Sequence, residues 1–297
     1  MKLTSETTIR DEADRLWHLT QEPRQHARWD LRFMDIRYLP KSDPDEPQRF
    51  AYVTKLAGRI KVEGWGETVA QRDGRGSRLR FGSDDPKSLI REGAGFWAYE
   101  RNPDGVRFRT AYDYRVRHGL VGRIADRLLF RPLMQWATRW SFDRLRIWIE
   151  DGTTPELSRR LWLLKVSARV ALGVVWILEG LLPKMLVVAP AELELVTRSG
   201  LVMVTPTFTL GLLGVAEIIG GVWLLSGKAE RLAAMVAALA MLVIVGIVIA
   251  ADPLAVASPF GGIVKNLGLA VCSLVVLALA DRAPKASRAN PTQKDKP

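Results

Sequence analysis

The chain has 297 residues and a formal net charge of +11, long enough for two domains. Its single cysteine, Cys272, excludes an intramolecular disulfide, a Cys-x-x-Cys redox pair and a cysteine metal site. Residues 1–150 hold 29 basic and 22 acidic side chains, a surplus of +7, but the arginines stand singly along the elements, which with apolar spans in the same chain favours anionic lipid headgroups over nucleic acid.

The first residues contain no apolar core of signal-peptide length, so the amino-terminal domain is expected in the cytoplasm. Thr4 to Arg10 alternates weakly and predicts a strand. Asp11 is placed to cap a helix running through Leu16, Trp17 and Leu19, with Asp14 three positions on. A second short helix is expected over Glu22–Trp29. Strand-like runs follow at Phe33–Leu39, Arg49–Leu56, Ile60–Val69, Arg78–Phe81, Leu89–Tyr99 and Val106–Arg117, punctuated by turns such as Asp73-Gly74 and Pro103-Asp104-Gly105.

In the last run Val106, Phe108, Thr110, Tyr112, Tyr114 and Val116 alternate with Arg107, Arg109, Asp113, Arg115 and Arg117, as in a sheet with one covered and one wet face. A long helix, Val121 to Ile149, is expected to cover it. Leu133, Trp136, Ala137, Trp140 and Ile147 fall at helical steps, and Pro132 marks a kink or break.

Together, Ile9-x-x-x-Ala13-x-x-x-Trp17, Trp29-Asp30, the glycine-containing strands and the closing helix resemble the START-like superfamily, also called SRPBCC or polyketide cyclase-like, over residues 1–151. The resemblance implies an α+β helix-grip fold with an apolar cavity between sheet and helix, which various members use for lipids, quinones, hormones or polyketides. Candidate linings are Phe50, Tyr52, Phe96, Tyr112 and Tyr114, with Trp136 and Trp140 from the helix; any one of them taken singly reads more readily as core filling. The three histidines, His18, His26 and His118, form no nucleophilic or metal-binding order, so this domain reads as one that binds rather than catalyses.

Asp151-Gly-Thr-Thr-Pro155 opens a linker expected over residues 152–160. Four apolar stretches follow, at 161–182, 206–226, 232–251 and 261–280. The third lacks any charge, and each is about the 20 residues that cross a bilayer as a helix. Basic residues cluster in the connections before the first stretch, between the second and third, and after the fourth. The positive-inside rule therefore predicts four passes of the inner membrane with both termini cytoplasmic, followed by a basic disordered tail over 282–297.

Glu179-Gly-Leu-Leu-Pro-Lys184, Gly214-x-x-Glu217 and Pro259-Phe-Gly-Gly-x-x-Lys265-Asn266 resemble the DoxX-like membrane family. That likeness implies an all-α four-helix transmembrane bundle over residues 161–281, related to a small membrane subunit of a thiosulfate:quinone oxidoreductase. The bundle contains no histidine, so bis-histidine haem is excluded there. Ionisable residues inside spans are costly and mark functional positions. By counting along the stretches, Arg169 and Glu217 come out at one depth and are expected to pair or share a polar cavity. Glu179, Lys184, Lys265 and Asn266 form a second cluster near the outer end.

The functional expectation is a membrane protein holding an apolar ligand, a lipid or a quinone, in its START-like domain. Alternatives are an accessory subunit of a quinone-linked oxidoreductase, dependent on a redox partner subunit, and a structural anchor. No covalent cofactor is implied; a quinone is possible.

Overall fold

The computed structural model describes residues 2–10, 13–55, 60–72, 74–257 and 262–290. The expected cap Asp11, the strand end Leu56, the turn residue Asp73, the Pro259-Phe260-Gly261 segment and the last seven residues of the tail lie outside the described residues. The chain divides into two units. One comprises the described residues of Met1–Arg159 and Pro284–Pro297, the other Arg160–Ala283.

The first unit is built on a seven-stranded antiparallel sheet. Its strands are β1 (Leu3–Ile9), β2 (Asp35–Tyr38), β3 (Gln48–Lys55), β4 (Lys61–Arg72), β5 (Gly76–Gly82), β6 (Ile90–Asn102) and β7 (Gly105–Val116), in the order β1-β7-β6-β5-β4-β3-β2. Two short helices, α1 (Ala13–Gln21) and α2 (Pro23–Trp29), connect β1 to β2. Glu22 caps α2 by accepting from the amides of Arg24 and Gln25, and Pro23 opens it where an amide proton would have no helical partner. After β7 come α3 (Gly119–Ala125), a π turn (Asp126–Phe130) and α4 (Arg131–Asp151). This is the helix-grip order. The break expected at Pro132 is the π turn immediately before it, with the proline in the first turn of α4, the place a helix tolerates it.

One core joins Ile9, Leu16, Trp29, Tyr99, Phe108, Phe142, Leu145 and Ile149, with the Phe108 and Phe142 rings stacked at 4.5 Å. Ala289 belongs to this core. The carboxy-terminal segment expected to be disordered from residue 282 is thus ordered as far as its short 3-10 turn, Ala286–Ala289. Asp143 on α4 holds it, accepting from the Lys285 amide at 2.8 Å and facing Arg288 at 3.5 Å. A basic composition did not reveal that one small apolar residue finds a core position there.

The second unit is helical: α5 (Pro155–Leu181, beginning in the first unit), a π turn (Leu182–Leu186), α6 (Pro190–Ser199), α7 (Pro206–Ser226), α8 (Glu230–Ala251) and α9 (Gly262–Leu279). The linker is therefore shorter than expected, because Pro155 starts a helix instead of continuing a loop. Among the described residues three helical stretches are long and apolar enough to cross a membrane: Pro155–Leu186, Pro206–Ser226 and Glu230–Ala251. Its last apolar stretch, Lys265–Leu279, is shorter.

Within this unit α5 and α7 approach through glycines. The Cβ that Gly180 lacks would strike the Gly214 carbonyl, and that of Gly214 would lie 2.7 Å from the Gly180 carbonyl. Gly221 faces the Gly173 carbonyl at 2.6 Å in the same way. Small residues let spans come together by contact alone, since lipid supplies no hydrophobic drive between helices.

Candidate functional site

The inner face of the sheet carries a row that alternates ring and glycine across five strands. Phe50 lies opposite Gly66, Gly66 opposite Phe81, Phe81 opposite Gly93, and Gly93 opposite Tyr114. Directly opposed residues share a face, so each ring lies down over its neighbouring glycine. A Cβ on Gly66 would strike the Phe50 ring, and one on Gly93 would lie 2.6 Å from the Phe81 ring. Tyr52 covers Gly64 likewise. The glycines thus make room for rings.

A polar cluster crosses these rings. Asp30, directly after α2, accepts from Arg32 through Nε at 2.9 Å and Nη2 at 2.6 Å. His26 Nε2 lies 3.2 Å from the same carboxylate and donates to it, since an ionised carboxylate can only accept. Asp30 is buried, and the guanidinium of Arg32 lies 5.4 Å from the centre of both the Phe33 and Tyr112 rings. The Tyr112 hydroxyl shares a 2.8 Å hydrogen bond with Thr138 on α4. Burial alone would raise the Asp30 carboxyl, but Arg32 and His26 outweigh it and hold it below the usual carboxylate range. Burial lowers His26 despite the opposing pull of Asp30, and burial pushes Tyr52 up to about 12.

A second buried carboxylate sits one turn before α4. Tyr114 donates to Asp126 Oδ1 at 2.6 Å, and Arg131 Nε donates to Oδ2 at 2.9 Å. The π turn delivers Asp126 to this position. Burial, and then the bond to Asp126, raise the Tyr114 phenol.

Tyr52, Tyr112 and Tyr114 thus lie on the expected inner face, and Phe50 with them at the far end of the row. Phe96 does not. It pairs with Ala111 in the ladder and points to the outer face, where Arg109 lies 5.7 Å from its ring centre. Trp136 and Trp140 stack on each other at 6.2 Å, Trp140 buried and Trp136 exposed. The residues of α4 that meet the sheet side are Met134, Thr138, Phe142 and Leu145. The helical row chosen from sequence followed the largest rings and was rotated from the contacting one. Two depressions open on the surface of this unit. One lies on the outer face around Trp65, Arg80 and Asp113, the other beside the β6–β7 turn.

In the helical unit Arg169 and Glu217 do not pair with each other. Arg169 Nη1 lies 3.3 Å from Glu230 Oε2, and Lys165 Nζ lies 2.9 Å from Oε1 of the same residue. Glu217 faces Lys184 at 3.0 Å. The depth count took Leu161 and Ser226 as level ends. Instead Arg169 lies against Gly227, just past the end of α7, whereas Glu217 lies beside Gly180. These levels are eleven residues of α5 apart, roughly 16 Å of helix.

The second expected cluster is brought together and enlarged. Lys265 Nζ meets Glu179 Oε2 at 2.5 Å, Lys184 donates to the Glu179 carbonyl at 3.3 Å, and Lys184 also lies 3.7 Å from Glu192 on α6. Asn266, next to Lys265 on α9, is half-buried. Glu217, placed by sequence in the first group, belongs here.

Sequence reasoning missed Arg32, Asp126, Glu192 and Glu230 as members of these groups. Glu230 stands beside Arg231 at the edge of an apolar stretch and reads as loop charge; the signal was its position as first residue of α8. Asp126, the only acid between six arginines from Arg115 to Arg139, was the other legible sign. Among the described residues no group of His, Cys, Asp and Glu is gathered so as to hold a metal.

Residues 173–274 match the DoxX-like family. The uncharacterized membrane protein YndG of Bacillus subtilis (strain 168) is 44% identical over 180 residues, covering 59% of this chain and 67% of YndG. The chain belongs to the DoxX-like family. The DoxX-like match takes in Glu179, Lys184, Glu192, Glu217, Glu230 and Lys265 but neither Lys165 nor Arg169. Solved structures similar to it include TTHA0849 of Thermus thermophilus, 17% identical, covering 52% of this chain and 100% of that one, with a TM-score of 0.39. Another is the di-domain ARO/CYC StfQ from the steffimycin biosynthetic pathway, 15% identical, covering 51% of this chain and 50% of that one, also with a TM-score of 0.39.

Proposed function

We propose that this DoxX-like membrane protein receives an apolar small molecule with one polar end, a lipid or a quinone, on the inner face of its helix-grip sheet. Arg32, Tyr52, Tyr112 and Thr138 face the polar end, and the ring row that includes Phe50, Phe81 and Tyr114 faces the apolar body. The carrying observation is the Arg32–Asp30 pair buried among aromatic rings. A buried ion pair adds little stability over apolar filling of the same volume. Its presence beside two phenol hydroxyls is accounted for by a ligand group that needs donors in a dry setting. The aromatic rings fill the face in this structure, so the ligand enters by displacing them.

The same reading includes four passes of the inner membrane with both termini in the cytoplasm. The carboxy-terminal segment and the amino-terminal sheet belong to one unit, which supports an even number of crossings and α9 as the fourth. The paired charges of the bundle join its helices in register and keep ionisable groups off the lipid.

The test is extraction of the full chain in mild detergent and mass spectrometry of what stays bound. A lipid or quinone retained by the parent and depleted in Arg32→Met with Tyr112→Phe supports the reading. It fails if neither protein retains one and no added quinone or phospholipid raises the melting temperature of the parent.

A further inference from the structure

We infer that the helical segment from α3 into α4 is a membrane-docking surface that lies on an anionic bilayer. Leu120, Val121, Ile124, Leu128, Leu129 and Leu133 are each 51% to 75% exposed, and Trp136 extends the stripe by one turn. The first unit contains no other run of large apolar side chains so exposed among its described residues. A contiguous patch of this kind on a soluble domain marks a contact surface.

The π turn produces the alignment. From Val121 the stripe steps by three to Ile124 and by four to Leu128, then by five to Leu133 and by three to Trp136. In an uninterrupted α-helix the five-residue step would turn Leu133 about 140° from Leu128. The π turn at Asp126–Phe130 absorbs one extra residue and restores the row. The opposite side carries Asp126, Phe130, Met134 and Thr138, spaced by four, and these meet Tyr114 and Tyr112. One turn therefore seats a carboxylate inside the domain and aligns a row of leucines outside it.

Charge identifies the occupant. From Arg115 to Phe142 the chain has six arginines and one acid, Asp126, a surplus of +5, and Asp126 is buried and bonded inward. Arg123 and Arg127 are exposed and flank the stripe. Apolar side chains edged by arginine suit the boundary between headgroups and acyl chains of an anionic leaflet. A second copy of the same surface would set like charges against each other. The chain also tethers the domain to a membrane-capable helix, because only residues 152–154 separate α4 from α5. This inference stands independently of any ligand on the inner face.

The experiment uses the full chain in lipid nanodiscs, with spin labels at Ile124→Cys, Leu128→Cys or Arg123→Cys on a Cys272→Ser background. In discs containing phosphatidylglycerol, collisions with oxygen at positions 124 and 128 are expected to exceed those with a water-soluble nickel chelate several-fold, and the ratio reverses at 123. Pure phosphatidylcholine or high salt reduces the immersion. Free access of nickel to all three labels would overturn the proposal, as would labels at 124 and 128 shielded from both reagents, the signature of a protein partner. Hydrogen exchange of the unsubstituted chain provides a second reading: slower exchange over residues 119–130 in phosphatidylglycerol than in phosphatidylcholine supports docking, and equal rates refute it.

Discussion

Lys165 on α5 and Glu230 at the first position of α8 form a 2.9 Å ion pair with both side chains only 3% exposed. Arg169 adds a second cation to the same carboxylate at 3.3 Å. One acid therefore faces two bases, Lys165 buried and Arg169 half-buried. Glu230→Gln is expected to destabilise the helical unit by about 3–5 kcal/mol, the cost of leaving buried charge uncompensated. Lys165→Met combined with Glu230→Leu should cost less than Glu230→Gln alone. Thermal unfolding of the detergent-purified variants measures both, and equal losses would mean that the pair is not coupled.

The glycine contact between α5 and α7 allows no side chain. Gly180→Val places atoms against the Gly214 carbonyl and the Cβ of Glu217, the latter 3.1 Å from the missing Cβ. We expect a loss of at least about 1–3 kcal/mol, the usual cost of overpacking. Gly246→Val on α8, where nothing lies within 4 Å of the added carbon, should leave the melting temperature nearly unchanged.

Acidification should weaken the sheet domain in a defined window. His26 titrates below its ordinary 6.5 when folded, because burial outweighs Asp30, so the unfolded chain takes up its proton first as pH falls. Its contribution is fully present above 6.5 and is lost as pH drops through the folded value. Asp30 acts with the same sign lower down, below its ordinary 3.8. The melting temperature of the parent should therefore fall between pH 7.5 and 5.5, and His26→Gln should flatten that slope.

Tyr114→Phe removes one of the two partners of Asp126 and leaves its Oδ1 buried without a donor. A loss of about 1–3 kcal/mol is expected. Replacing Asp126 by Asn as well should recover part of it, because a neutral amide costs less to bury than a carboxylate. A double-mutant cycle on the full chain reads the coupling.

Much of the architecture was legible along the chain. The bounds of α7 match the apolar stretch 206–226, and the alternation of Val106 to Val116 placed Tyr112 and Tyr114 on the covered face, because the two-residue period of a strand ties side-chain direction to sequence parity. Helical faces were less certain. The row of α4 that meets the sheet follows Met134, Thr138 and Phe142, whereas Trp136 and Trp140 attracted attention by size alone. Parity on β6 depends on its register, and Phe96 opposes Ala111, not Tyr112. Register is set by pairing between strands that no local pattern encodes.

Hydropathy by itself determined that there are membrane-capable helices behind a domain of strands and helices, since burial in lipid and in a sheet impose periods and lengths that a sequence displays directly; the helix-grip fold came from the order of those elements and the family resemblance. Hydropathy also marked Arg169, Glu179, Lys184, Glu217 and Lys265 as residues that would need partners, though not Glu230. Only the tertiary structure decided who those partners are. Depth along a helix depends on where its neighbours begin, so Arg169 pairs with Glu230 and Glu217 with Lys184. The placement of Asp126 likewise rested on a single π turn, whose extra residue becomes visible only when the helix is seated against the sheet.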